Sequence, residues 1–281
     1  MLKALIALPA LILSLLGPIS FVYAQATIVQ GTVTSETAKE AIPFVNIGIK
    51  KKGVGTAADA DGKFMLKLGE EFLQDTITFS AIGYQELSVP VSAVVASTSN
   101  SFILKEKATA LQEVVVLSKA PKIRKLGVTY KMPFVFGNAE TKSSDDISEL
   151  ALLIDVKDKS AELLSTTLYL KSTKADSASF RINFYKNAGG QPGSRIVEKS
   201  IVQRLPLTKG WVTIDLQPYG IFVDDDFFIG FEYLPDKQQT EKFLFFYGAV
   251  LGGSIYARNV SLGAWRQTAG GRLSAYVTVR Q

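Results

Sequence analysis

Residues 31–84 read GTVTSETAKEAIPFVNIGIKKKGVGTAADADGKFMLKLGEEFLQDTITFSAIGY, and this stretch decides the fold. Residues 27–33, 43–49, 63–68 and 76–80 are short runs rich in β-branched and aromatic side chains, the composition of half-buried strands. Turn chemistry separates them. Residues 34–40 are polar, residues 51–55 carry Gly53 and Gly55, and residues 59–62 end in Asp61-Gly62. Phe64, Leu66 and Leu68 alternate with Met65 and Lys67, which points three apolar groups to one face. No run carries the helical period, so strands spaced by turns predict a small antiparallel sandwich.

The same residues resemble the carboxypeptidase regulatory-like domain of Bacteroidetes envelope proteins. The resemblance rests on Gly31/Val33, on Pro43-Phe44-Val45-Asn46-Ile47, on Gly55-Thr56-Ala57-Ala58-Asp59-Ala60-Asp61-Gly62-Lys63-Phe64, and on Ser80-Ala81-Ile82-Gly83-Tyr84, in that order and spacing. Ala58 departs from the family's usual Thr. The resemblance implies a transthyretin-like, seven-stranded sandwich over residues 25–117, about the first third of the chain after its leader. It also covers Leu111-Gln112-Glu113-Val114-Val115-Val116-Leu117, a segment that in some relatives precedes a TonB-dependent plug and barrel. The remaining residues lack the long series of alternating strands that a membrane barrel needs, so no transporter is expected from them.

Residues 1–24 read as a secretory signal. Lys3 supplies the positive start, residues 4–16 the apolar core, and Val22-Tyr23-Ala24 the cleavage site. Export is therefore expected, to the periplasm, the outer membrane or the cell surface. The sequence contains no Cys, which removes acylated-cysteine anchoring and disulfides, and no later segment is long and apolar enough for a membrane helix. About 257 residues then remain, enough for two domains with cores of their own. The formal net charge is +5. Apart from Lys50–Lys52 and the residues between Lys119 and Lys125 the basic groups are scattered, and nucleic acid is not an expected partner.

Residues 118–127, with Pro121 and Lys119, Lys122, Arg124 and Lys125, read as a linker. Beyond it, residues 149–156, 164–170, 180–185, 211–216, 227–234 and 243–250 carry β-type patterns. Phe180, Ile182 and Phe184 alternate with Arg181, Asn183 and Tyr185, a pattern expected of a half-buried strand with its polar face in solvent. Asn187-Ala188-Gly189-Gly190-Gln191-Pro192-Gly193 is a loop signal. Residues 128–281 are expected to form a second, jelly-roll-like sandwich, so the fold class is all-β with two β-sandwich domains. This half resembles the uncharacterised region that accompanies such domains elsewhere, a resemblance that implies fold and compartment but no activity.

The chemistry is constrained by what the sequence lacks. It has no His and no Cys, so the common zinc sites and the Ser-His-Asp or Cys-His nucleophile systems have no ligands or bases to use. Asp224-Asp225-Asp226, Glu232 and Asp236 are the carboxylates to weigh for glycoside hydrolysis, but the Asp run lies where a polar turn must join two apolar strands. Asp59-Ala60-Asp61-Gly62 opens like a calcium loop, yet Lys63 falls at a ligand position, and a hairpin turn is the simpler reading. No enzyme, cofactor or metal is expected. Tyr169, Tyr185, Trp211 and Tyr233 are the candidate ligand-binding residues, as an aromatic platform for sugars. The expected function is a non-catalytic structural or protein-interaction module of the envelope. The alternative is a carbohydrate-binding protein, and a carboxylate-dependent hydrolase comes third.

Overall fold

The computed structural model describes residues 26–97, 100–107, 121–129, 133, 135–137, 141, 146–157, 160–207, 210–235 and 245–281. The leader at 1–24, the segment at 111–117 and Asp236 lie outside these residues. The described chain forms two β-sandwiches, with only a five-residue α-helix, Val91–Val95, and two short 3-10 turns besides strands.

The first sandwich has seven described strands: β1 (Thr27–Ser35), β2 (Asn46–Ile49), β3 (Val54–Ala57), β4 (Lys63–Leu68), β5 (Thr76–Ser80), β6 (Leu87–Pro90) and β7 (Ser101–Leu104). They make a three-stranded sheet, β4-β1-β7, facing a four-stranded sheet, β3-β2-β5-β6. All pairs are antiparallel except β1 with β7. The alternation in β4 is borne out: Phe64, Leu66 and Leu68 are buried while Lys63, Met65 and Lys67 are exposed. Phe64, Phe79 and Phe102 fill the space between the sheets, the last two stacked at 4.2 Å. The turn before β4 is closed by Asp59, whose Oδ1 accepts the amides of Asp61 (3.0 Å) and Lys63 (2.8 Å), with Gly62 at φ +71°.

One expected strand is shorter than its pattern. The run 43–49 becomes a strand only from Asn46. Pro43 and Phe44 form a turn, and Phe44 takes the left-handed conformation at φ +54°. Its amide donates to the carbonyl of Asp59 at 3.2 Å, so the turn is tied down on that side.

The second sandwich contains β8 (Ile123–Gly127), β9 (Val135–Gly137), β10 (Ser148–Ile154), β11 (Ala161–Lys171), β12 (Ser177–Asn187), β13 (Pro192–Arg195), β14 (Ile201–Pro206), β15 (Gly210–Asp215), β16 (Ile221–Val223), β17 (Phe227–Leu234), β18 (Phe246–Arg258), β19 (Arg266–Leu273) and β20 (Ala275–Arg280). Every pairing is antiparallel, and the hydrogen-bonded order runs β13-β12-β17-β10-β18-β11-β20-β8. This ribbon folds over one core. Phe180, Ile182, Phe184, Phe227, Ile229 and Phe231 from one leaf meet Leu168, Leu170, Val277 and Val279 from the other. β18 belongs to both leaves. Its first residues pair with β9 and β11, its last with β10, and a register shift at Gly252 (φ +85°) and Gly253 (φ +81°) turns the corner.

The linker expectation needs correction. Residues 123–127 are β8, the edge strand paired with β20 from Ile123↔Arg280 to Gly127↔Tyr276. Leu126 packs against the core, whereas Arg124 and Lys125 are exposed, and charged groups on an edge discourage further strand pairing. Their charge made the segment look like a solvated connector. Among the described residues, no helix is long and apolar enough to cross a membrane.

Candidate functional site

The face of β12, β17, β10 and β18 that points away from the core is polar and buried. Register explains its layout. Arg181 lies opposite Glu232, Glu232 opposite Glu149, and Glu149 opposite Arg258, so four charges in the order plus, minus, minus, plus cross four neighbouring strands. Glu149 and Glu232 are wholly buried, and Arg181 is 3% exposed. The expectation of a solvated polar face on β12 is thus overturned: Arg181, Asn183 and Tyr185 are all buried.

The ladder is closed by hydrogen bonds. Arg181 Nη1 donates to both Glu232 oxygens at 3.3 and 3.4 Å. Asn183 Nδ2 bridges the two carboxylates, 2.7 Å from Glu232 Oε2 and 2.9 Å from Glu149 Oε1. Tyr185 donates its hydroxyl to Glu149 Oε1 at 2.8 Å and accepts from Arg258 Nη2 at 3.1 Å. Arg258 grips Glu149 Oε2 through Nε (2.7 Å) and Nη2 (2.6 Å), and its guanidinium lies 4.8 Å from the Trp265 ring centroid. Gly230 makes the room, since a Cβ there would stand 2.3 Å from Glu149 Oε1 and 3.0 Å from the Tyr185 ring.

The first sandwich covers one end of this ladder. Asn46 Nδ2 donates to Glu232 Oε1 at 3.0 Å, and Asn46 Oδ1 accepts from the Ser261 hydroxyl at 3.1 Å. The Phe44 carbonyl, aimed by its left-handed turn, accepts from Arg181 Nη2 at 2.6 Å. The Lys51 amide donates to the Leu262 carbonyl at 3.1 Å. Small residues permit this approach. Gly48 and Gly55 face each other across β2 and β3, and a Cβ on either would meet the Ser261 carbonyl oxygen, at 3.1 and 2.8 Å. Beside them Ala57 and Phe44 pack with Ile147, Val202 and Leu234. At the rim Glu198 takes Lys107 Nζ at 3.0 Å, an exposed pair of little energetic weight.

The electrostatics follow from burial and pairing. Burial by itself would raise the Glu232 pKa, but Arg181, then Arg258 and Arg195, and the Asn183 amide outweigh it and hold the group at about 2. Asp146 goes the other way. Burial raises its pKa to about 6, against the Ser261 and Ile147 groups that donate to it. Burial also pushes the Tyr185 phenol well above its ordinary range, so it remains a donor to Glu149. Removing one member of a buried ion pair strands the other and costs about 3–5 kcal/mol, which makes this cluster the most sensitive polar feature described here.

The four aromatic candidates do not share one platform. Tyr185 lies in the buried cluster. Tyr233 packs against Phe180 and Phe245 on the core side. Tyr169 and Trp211 do meet, ring centroids 5.4 Å apart and perpendicular, on the outward face of the other leaf, and Trp211 continues to Tyr276 at 5.6 Å. The carboxylate candidates also separate. Glu232 is in the seam. Asp224 accepts the Ser160 hydroxyl at 2.7 Å and Asp226 the Val156 amide at 2.9 Å, so both tie the turn before β17 to the β10–β11 connection. These aspartates line a cleft of about 490 Å³ with Lys186 and Asn187, and among the described residues no acidic group of metal-binding geometry occurs.

Sequence reasoning passed over Glu149, Arg181, Asn183, Arg258 and Asp146. The available signal was charge on strands whose other face is strongly apolar, which a register for β10, β12, β17 and β18 would have aligned.

Comparison with known proteins bears on the first third of the chain. Residues 29–116 match the family model described as CarboxypepD_reg-like domain. The TonB-dependent receptor P3 of Formosa agariphila is 26% identical over 177 residues, covering 63% of this chain and 15% of the receptor. The TonB-dependent receptor SusC of Bacteroides thetaiotaomicron is 36% identical over 95 residues, 34% of this chain and 9% of the receptor. The chain thus spans well under a fifth of either relative. Among solved structures, the infectious bursal disease virus VP2 subviral particle aligns over 90% of this chain and 63% of its own at 11% identity, with a TM-score of 0.28. The Bacillus cereus pilin BcpA aligns over 89% and 69% at 11% identity, with a TM-score of 0.20. Both scores are too low to carry an argument.

Proposed function

We propose that the region matching the CarboxypepD_reg-like domain, residues 29–116, is a docking module in this chain, locked onto the second sandwich to make one rigid, non-catalytic unit of a cell envelope. The observation that carries the reading is Asn46 bridging Glu232 and Ser261. Side chains and backbone of the segment that bears the family's motif are committed to the partner sandwich. The buried carboxylates favour a structural role, since each is saturated by arginine and amide donors and neither is exposed to a substrate. The relatives named as TonB-dependent receptors and the signal-like leader support an envelope setting.

The test is to cut this chain at a protease site inserted between Lys107 and Pro121, then to size the product under native conditions. The two pieces should co-elute at the mass of the uncut chain and separate in the Asn46→Ala, Gly55→Val variant. Separation of the unmutated pieces at micromolar concentration would sink the reading.

A second reading, carbohydrate binding, has one observation in its favour: Tyr169, Trp211 and Tyr276 are in contact on a face turned away from the seam.

A further inference from the structure

The outward face of β15, β11, β20 and β8 carries a strip of rings and hydroxyls. Trp211 lies opposite Tyr169. One step along, Thr213, Thr167, Tyr276 and Gly127 form the next row. Tyr169 is buried under its neighbours, and its ring meets the Trp211 ring edge-on, so it acts as a support. Trp211 and Tyr276 are half-buried, tilted 53° to one another with centroids 5.6 Å apart. The Thr167 and Thr213 hydroxyls bond to each other at 2.9 Å. Two further apolar groups on this face are open to solvent, Phe246 at 39% and Ile123 at 67%.

Positive charge meets the rings at Lys125. Lys125 Nζ stands 4.8 Å from the Tyr276 ring centroid and 3.4 Å from its hydroxyl. Of the nearby carboxylates, Glu162 is paired with Arg280 at 2.8 Å, and Asp215 accepts the Gln217 amide at 3.0 Å. Half-buried rings present π faces to the C–H faces of a pyranose, as they do to any flat apolar surface with polar edges. A lysine poised over one ring adds a receptor for a carboxylate beside that stack.

We propose that this face binds an acidic polysaccharide, a chain of pyranose rings carrying carboxylates. Trp211 and Tyr276 stack on the sugars and Lys125 pairs with a uronate group. The proposal rests on the carbohydrate reading above and names its ligand class. The occupant is argued from charge complementarity at the rings: Lys125 stands over Tyr276, Glu162 is neutralised by Arg280, and the chain carries a net positive charge.

The test is affinity electrophoresis of the protein through native gels cast with polygalacturonate or with hydroxyethyl cellulose. Retardation is expected in polygalacturonate alone, weakened at least tenfold by Trp211→Ala and several-fold by Lys125→Gln, with a flatter salt dependence in the latter. Lys125 is exposed on an edge strand, so its variant keeps the test meaningful if Trp211→Ala fails to fold. Equal retardation in hydroxyethyl cellulose would overturn the acidic class while leaving carbohydrate binding in place. No retardation in either gel would overturn both. Polygalacturonate retardation that survives Trp211→Ala unchanged is charge alone, and overturns the site.

Discussion

Replacing Asn46 with Ala should weaken the second sandwich from a position in the first. Asn46 is 1% exposed and makes one bond to an ionised carboxylate, at 3.0 Å, and one to a neutral hydroxyl, at 3.1 Å. The first is worth about 1.5–3 kcal/mol and the second about 1. Glu232 keeps Arg181 and Asn183 after the change, so its charge is not stranded, and the expected loss is about 2–4 kcal/mol. The assay is built into the sequence. Both tryptophans, Trp211 and Trp265, lie in the second sandwich, so tryptophan fluorescence during urea unfolding reports on that half alone. With a slope of about 2–3 kcal/mol per molar, the fluorescence midpoint should fall by about 1 M. If it stays put while circular dichroism shows an earlier transition, the domains unfold separately and the seam does not couple them.

Gly55→Val should reproduce that midpoint shift, because its Cβ would meet the Ser261 carbonyl at 2.8 Å; a variant as stable as the parent would mean the 259–265 loop yields freely. Gly230→Ala should be more severe, displacing the Glu149 carboxylate from its Tyr185 and Asn183 donors, and is checked by soluble yield and thermal midpoint. The pH profile has two opposed parts. Glu232 is held at about 2, below its unfolded value of 4.5, so its contribution is present above pH 4.5 and is lost as pH falls towards 2. Asp146 is raised to about 6 from 3.8, so its contribution is present below pH 3.8 and is lost as pH rises through 6. Together they place maximal seam stability between about pH 4 and 5, and urea midpoints from pH 3 to 8 should show the maximum; a profile rising steadily to pH 8 would contradict the Asp146 assignment.

The elements legible in the sequence were those whose burial is one-sided or whose apolar run is unbroken. β4 alternates as written, and β17 was bounded correctly from Phe227 to Leu234 because both of its faces are occupied. β19 was not legible. Its residues, RQTAGGRL, are polar and glycine-rich, and it exists because it pairs with the outer part of β18. β8 was hidden in the same way by its lysines and arginine. The seam was illegible for a different reason. Periodicity shows that Arg181 and Asn183 oppose Phe180 and Ile182, but what covers that second face depends on how two domains meet, and that is decided by small residues at Gly48, Gly55 and Ala57 a long way off in the chain. Of the aromatic candidates, Tyr169 and Trp211 became neighbours through strand register, while Tyr233 followed its strand's other face into the core.

The strand that turns the corner at Gly252 and Gly253 has a consequence for access. A sandwich whose leaves are joined only by loops can breathe apart and admit a guest to its middle. Here a single strand is stitched into both leaves, so prising them open means breaking its hydrogen bonds on one side or the other. Any molecule that meets this domain therefore meets its outer surfaces or its ends, and a guest found between the leaves would imply that the stitch had first been undone.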